Sequence, residues 1–402
     1  MNDLNEATLA RAERSIPWGT QTNGKRAHLD GIRNRPAFIK RARGCRMWDL
    51  NDREFIDYRA ALGPIVLGYG HPAVDDAVKR QLENGVLFSM ASPIEVEAAE
   101  KILGTLAWPD QIRFMKTGVD VCASCLRLAR SRTKRDHFLT SGYHGYQDWF
   151  AVAWPNSGIP GSLQSYVHEV AYGDIEAVER VFAQQGPHLA AALVNPVDWR
   201  QPANRPFLAR IRELCDHYGA ALIFDEVLTG FRLAKGGARE YFDIVPDMGA
   251  YAKGIANGYP LSAYAGKREW MQTLDQTVLT TTYAGETLSL AAAIQVMEIY
   301  ETEPVHAHLF EQGRHLRAGM ETIFAKHGFP ATTTGLDCAP MIDFKPAGED
   351  GPALHDALFE ALYANGIFAN EQWFITYAHK AADIDETLGA LEQCVAGLMA
   401  KA

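Results

Sequence analysis

Lys253 stands in Tyr251-Ala-Lys-Gly-Ile-Ala-Asn-Gly258, with Ala252, Gly254, Ala256 and Gly258 around it. Small neighbours let a ligand come close to the backbone, and an amine in that setting can form a Schiff base with a carbonyl. Asp225 follows the apolar run Ala220-Ala-Leu-Ile-Phe224 and opens the stretch Asp225-Glu-Val-Leu-Thr-Gly230. The run has the length and residue types of a buried strand in a parallel sheet. The acidic pair Asp225-Glu226 is expected to end that strand, and Thr229-Gly230 to turn the chain. In open α/β sheets ligands bind beyond the carboxyl ends of strands, so a carboxylate there can face a ligand rather than a core. Taken alone, the two residues read more simply as a cap and a solvated lysine. The elements around them have to decide.

Gln111-Ile-Arg-Phe-Met115 reads as a strand, Lys116-Thr-Gly-Val-Asp120 as a glycine-containing turn, and the chain to Arg132 as a helix. A helix start leaves backbone N–H groups unpaired, which suits an anion such as phosphate. His137-Phe-Leu-Thr140 is a strand leading to Tyr143 and His144, flat groups suited to stacking on a ring or to packing in a loop. Ala190–Val194, the amphipathic helix Pro206–Tyr218 and the strand before Asp225 form a βαβ unit with a parallel sheet. Tyr264-Ala265-Gly266 reads as a further strand end, and Thr280–Ser289 as a hydroxyl-rich lead into a helix from Leu290 to Glu301. Upstream, Ile16–Arg26 is an irregular arm carrying Lys25 and Arg26, Met47–Tyr58 a hairpin around Asn51-Asp52, and Pro72 and Pro93 open helices. A small α+β region after Pro304 holds Ala339–Phe344 and a final helix from Ile384.

The length of 402 residues allows two or three domains, and the expected boundaries are 1–62, 63–298 and 299–402. A net charge of −10 argues against a nucleic-acid partner. The beginning Met1-Asn-Asp-Leu-Asn-Glu has no basic or apolar leader character, and no stretch has the roughly 20 apolar residues that span a bilayer, so no membrane is expected. The six cysteines are scattered, which suits reduced thiols in a cytoplasmic protein. Cys122-Ala-Ser-Cys125 lacks a second pair to complete a zinc site, so no metal is expected.

The order of Leu222-Ile-Phe-Asp-Glu-Val-Leu-Thr-Gly-Phe-Arg232, Pro246-Asp247, Lys253 and Ala256-Asn-Gly-Tyr-Pro260 resembles the class III (fold type I) aminotransferases dependent on pyridoxal 5'-phosphate (PLP). The likeness runs from about Ile16 to Leu398 and is greatest to the branch of glutamate-1-semialdehyde aminomutase and sugar-type aminotransferases. It implies a PLP-dependent transferase fold type I: a large α/β domain with a mostly parallel sheet and a small α+β domain from both chain ends. It implies that Lys253 carries the cofactor as an imine and moves protons, that Asp225 pairs with the pyridine nitrogen, and that Val227 packs on one ring face. Tyr143 is expected on the other face with His144 beside it. Gly118 and Val119 offer backbone N–H groups to the phosphate with the Thr117 hydroxyl nearby. Thr282 matches a threonine that reaches the phosphate of a neighbouring subunit, which implies a homodimer with shared sites.

The reaction so implied passes an amino group from an amino-acid donor through pyridoxamine phosphate (PMP) to a carbonyl acceptor, with a sugar-like aldehyde or ketone as the first expectation, by a ping-pong route. The runner-up is a 2,1-aminomutase, and a catalytically silent PLP-fold regulatory protein is a third reading. Thr117-Gly-Val119 stands where the family usually has Ser-Gly-Thr, Asn195 precedes Pro196 where a glutamate is usual, and Ala284-Gly-Glu-Thr287 replaces Ser-Gly-Asn-Pro. The aminomutase's substrate-binding arginine aligns with Lys25, or with Arg26 after a one-residue slip. Glu371 matches an aminomutase site glutamate after a gap.

Overall fold

The computed structural model describes residues 3–27, 31–154 and 157–400. The chain forms two compact units, one of residues 1–71, 199–202 and 307–402, the other of 72–198 and 203–306.

The second unit is built on seven strands: β1 (Gln111–Met115), β2 (His137–Ser141), β3 (Val167–Glu169), β4 (Leu189–Val194), β5 (Ala221–Glu226), β6 (Met248–Tyr251) and β7 (Ser262–Gly266). Their order across the sheet is β1-β7-β6-β5-β4-β2-β3. The run β6-β5-β4-β2-β3 is parallel, and β7 pairs antiparallel with both β6 and β1. All six residues of β4 and of β5 are buried, as expected for central strands covered on both faces. The helix Arg205–Tyr218 links β4 to β5; Asn204 caps its start through Phe207 N (3.0 Å) and Gly219 ends it in the left-handed region. The fold is the mixed, mostly parallel α/β architecture that the apolar runs indicate.

Three local features are decided by pairing and burial. Asp225 and Glu226 lie inside β5, paired with Ala250 and Tyr251 of β6; the strand continues past its apolar run because the ladder partner does. Successive strand side chains alternate faces, so the two acids have separate environments. Glu226 accepts hydrogen bonds from Thr229 Oγ1 (2.6 Å) and from the amides of Ala238 (2.8 Å) and Arg239 (3.3 Å). Burial pushes its carboxyl up to about 7. β6 itself, Met-Gly-Ala-Tyr, carries no sequence signal and exists because its neighbours pair with it. The helix Thr287–Thr302 is capped by the Glu286 carboxylate, which accepts from Leu288 N (2.7 Å) and Ser289 N (3.2 Å), rather than by a hydroxyl.

The first unit holds a four-stranded sheet. Ile39–Arg43, Arg46–Asp49 and Glu54–Asp57 are antiparallel neighbours, and Ile367–Phe368 adds parallel to Glu54–Asp57. The hairpin turns at Asp52, whose φ is 64°. The helix Leu4–Ser15, capped by Asp3, precedes the irregular arm. The last helix begins at Ala381, ahead of Ile384, because the Asp383 carboxylate receives the Lys380 amide (2.9 Å) and stabilises an earlier start.

In the second unit His306 packs against Tyr300 (ring centroids 5.2 Å apart), and its Nε2 donates to the Phe231 carbonyl (3.2 Å). Burial lowers its pKa from 6.5 to about 4. The unfolded chain therefore takes up a proton first as pH falls, and stability is lost from about 6.5 down to about 4. Since the ring keeps some solvent access, the loss should be roughly 1–3 kcal/mol. Denaturant titrations of wild type and His306→Asn across that window should show a shallower acid decline in the variant; parallel declines would remove His306 as the cause.

Candidate active site

The site is assembled on the carboxyl side of β5 and β6, within the second unit. Asp225 is 6% exposed and each of its oxygens is committed. Oδ2 accepts from His144 Nδ1 at 2.7 Å, and Oδ1 accepts from the Val227 amide at 3.0 Å. A carboxylate only accepts, so the imidazole proton resides on Nδ1. His144 Nε2 is buried and has no partner among the described residues. His144 is thus placed as the holder of Asp225, a role its position after a strand did not indicate. The strand β2 delivers it: β2 ends at Ser141, and Gly142 and Gly145, with φ of 102° and 111°, bend the chain back over β5.

Lys253 begins the turn after β6, with Ala252 between them. Its φ is 44°, an unfavourable backbone value for a residue with a side chain. Burial pushes the amine below its ordinary value; the Asp225 charge opposes that shift, and the Arg232 charge adds to it. The lysine is therefore an amine close to Asp225, and the solvated surface lysine of the simpler reading does not describe it. Arg232, 1% exposed, is a site neighbour that the sequence pattern did not single out. Tyr300 Oη fixes the lysine turn by donating to the Gly254 carbonyl (2.9 Å).

The turn before the helix Gly118–Thr133 approaches the same place. A Cβ on Gly118 would lie 2.8 Å from Val227 Cγ1, and a Cβ on Gly145 would lie 2.5 Å from Val119 Cβ. Glycine is what allows the helix start, the loop after β5 and the His144 loop to close together. Thr117 is the helix N-cap; its Oγ1 donates to Asp120 Oδ2 (2.6 Å) and receives the Asp120 amide (3.4 Å). Lys116, beside it, pairs with Glu286 at 3.0 Å, tying the turn to the helix Thr287–Thr302.

Tyr143 is 59% exposed, with its ring edge-on to Trp154 (5.5 Å). Asn195 donates to the Tyr143 carbonyl (3.4 Å), while its Oδ1 and Ser141 Oγ are buried without a partner among the described residues. Thr282 is exposed in a turn of the same unit. Lys25, Arg26 and Glu371 belong to the first unit. Lys25 is exposed and lines a cavity of about 320 Å³ that also contains Arg35, Arg59 and Tyr69. The Arg26 guanidinium sits 4.3 Å over the Trp18 ring. Glu371 faces Arg200 at 3.7 Å and His355 at 3.8 Å.

The arrangement suits a flat, phosphate-bearing aldehyde. An amine is present for the carbonyl, a held carboxylate for a ring nitrogen, and a helix start with a glycine cradle for an anion. No helix of the described residues is long and apolar enough to cross a membrane.

Residues 30–395 match the family Aminotransferase class-III. The chain is 32% identical over 389 residues to glutamate-1-semialdehyde 2,1-aminomutase of Sulfurihydrogenibium sp. (strain YO3AOP1), covering 89% of this chain and 91% of the relative. Among solved structures it is similar to the FumI protein of Sphingopyxis sp. MTA144 in its PLP internal aldimine form, with a TM-score of 0.93, 29% identity and coverage of 99% and 97%. It is also similar to an omega-transaminase from Sphaerobacter thermophilus, with a TM-score of 0.89, 25% identity and coverage of 98% and 97%. A family match over nearly the whole chain, on a fold that brings Lys253, Asp225 and the Gly118 turn together, makes this protein a member of the class III aminotransferases.

Proposed function

We propose that the protein is a PLP-dependent enzyme that moves an amine from an amino-acid donor to a carbonyl acceptor in two half-reactions. The observation that carries this reading is geometric: the Lys253 turn follows β6, and the neighbouring β5 bears a buried Asp225 whose oxygens accept from His144 Nδ1 (2.7 Å) and the Val227 amide (3.0 Å). When bound, PLP supplies an aldehyde and a protonated ring that draws electrons from a substrate's α-carbon. Lys253 would hold the aldehyde, Asp225 the ring nitrogen, Val227 and Tyr143 the ring faces, and the Gly118 and Val119 amides with Thr117 the phosphate.

Lys253 is then the acid–base group. A lysine with lowered pKa is neutral over more of the working pH range, so it can accept the α-proton and give it back. Asp225 would keep a proton on the ring nitrogen, and His144 would keep Asp225 aimed. Lys25, Arg26 and Glu371 are our candidates for recognising substrate, with a polyhydroxylated carbonyl as the first acceptor to try. The aminomutase reading is favoured by the 32% identical relative of that name. A screen of donors and acceptors, followed by absorbance of the bound cofactor, decides: exchange that needs a separate donor supports transamination, and amine migration in one substrate without a donor supports the mutase.

We further infer a homodimer. Phe88 (46% exposed), Met90 (82%), Val278 (81%) and Tyr283 (60%) leave apolar surface beside Thr282, and the Thr287 amide bonded to the Val86 carbonyl (2.9 Å) brings these two segments together. All six cysteines are buried and free, which supports a reducing, cytoplasmic setting.

Lys253→Ala should fold and lose turnover entirely; near-normal transamination by the variant would end the mechanism. In cofactor-free protein the lowered amine binds fewer protons folded than unfolded below 10.5. The stability of wild type relative to Lys253→Met should therefore rise with pH toward that value, and a flat difference would contradict the burial of the amine. Asp225→Asn should retain bound cofactor with kcat reduced about a hundredfold or more, whereas an unchanged kcat would make Asp225 merely structural. Sedimentation should give twice the monomer mass, shifted toward monomer by Met90→Glu; a monomeric wild type would refute the shared site.

A further inference from the structure

Asp225 has a third polar neighbour. Cys122 lies in the first turns of the helix Gly118–Thr133 and is 0% exposed. Its Sγ, a His144 ring nitrogen and an Asp225 oxygen all lie within 4.8 Å of one another. The thiol holds its proton firmly: burial raises its pKa well above the ordinary thiol value, and the charge of Asp225 adds to the rise. That also disfavours the thiolate which a metal ion would need at this trio. An ionised carboxylate has about four acceptor sites. His144 and the Val227 amide fill two of those on Asp225, leaving room for an S–H donor. Cys125, one helical turn further on, is equally buried, yet it stands outside this trio.

We propose that Cys122 is a positioning residue whose S–H donates to Asp225 and, together with His144, holds the carboxylate in its charged form and aimed at the cofactor's ring nitrogen. The part concerning the ring rests on the PLP reading; the thiol–carboxylate contact does not. Donors to a carboxylate favour its charged form, so losing one lets the shared proton move from the ring nitrogen toward Asp225. The buried, unpartnered Nε2 of His144 leaves that imidazole with no second anchor among the described residues, which increases the carboxylate's reliance on its other donors.

Two measurements test this, one of them independent of cofactor. In the full-length protein without cofactor, the infrared S–H stretching band lost in Cys122→Ala should lie at lower frequency than the band lost in Cys125→Ala, and should move up in Asp225→Asn. In protein loaded with ring-¹⁵N PLP, Cys122→Ala should shift the nitrogen signal toward the unprotonated range, Cys122→Ser should restore it, and Cys125→Ala should leave it alone. Coincident S–H bands for the two cysteines, or a ¹⁵N signal indifferent to Cys122→Ala, overturns the proposal. If Cys122→Ala does not fold, the wild-type band compared with Asp225→Asn decides the contact and Cys122→Ser the ring signal. If wild type fixes no PLP, the functional reading falls, and the infrared comparison still decides the thiol's role.

Discussion

A buried carboxylate must be satisfied from several directions at once, and Asp225 is the point from which the rest of the second unit takes its arrangement. Burying a charge is costly unless it is paired and hydrogen-bonded. Here the His144 imidazole and the Val227 amide supply the bonds, and the Lys253 amine supplies a nearby charge. Each comes from a different segment of chain. The strand β2, the loop after β5 and the turn after β6 therefore have to meet at one place, and the parallel sheet is what makes their ends coincide.

Closeness at that place is obtained by leaving out side chains. Gly118 and Gly145 stand where a Cβ would run into Val227 and Val119, so the start of the helix Gly118–Thr133 can lie directly against the loop after β5. The same helix brings the Cys122 thiol within 4.8 Å of the carboxylate. The backbone of Lys253, with φ of 44°, is the matching strain on the other side, a cost of the order of 1–3 kcal/mol that the buried surroundings must offset.

Neighbouring acids show how much the strand's alternation decides. Asp225 and Glu226 are adjacent in sequence and alike in chemistry, yet they do unrelated work. One faces the lysine, and the other is buried against the helix Gly237–Phe242, receiving the amides of Ala238 and Arg239. A similar division holds at the helix Thr287–Thr302, where Glu286 both caps the helix and pairs with Lys116. The exposed Thr282 nearby is left free of capping work.

The sequence by itself determined the elements whose signal is local: the apolar runs of β4 and β5, the helices opened by Pro72 and Pro93, the glycine turn at Gly118, and the small residues around Lys253. These follow from periodicity, capping and backbone freedom over a few residues, which a single chain displays openly. The order of motifs also carried the family. Only the tertiary structure decided that β5 runs through Asp225, that His144 holds Asp225, that Cys122 and Arg232 are site neighbours, and that Met248–Tyr251 is a strand at all. Those facts depend on pairing between segments far apart in the chain, and on which face a residue presents once its strand has a partner. No local pattern encodes either.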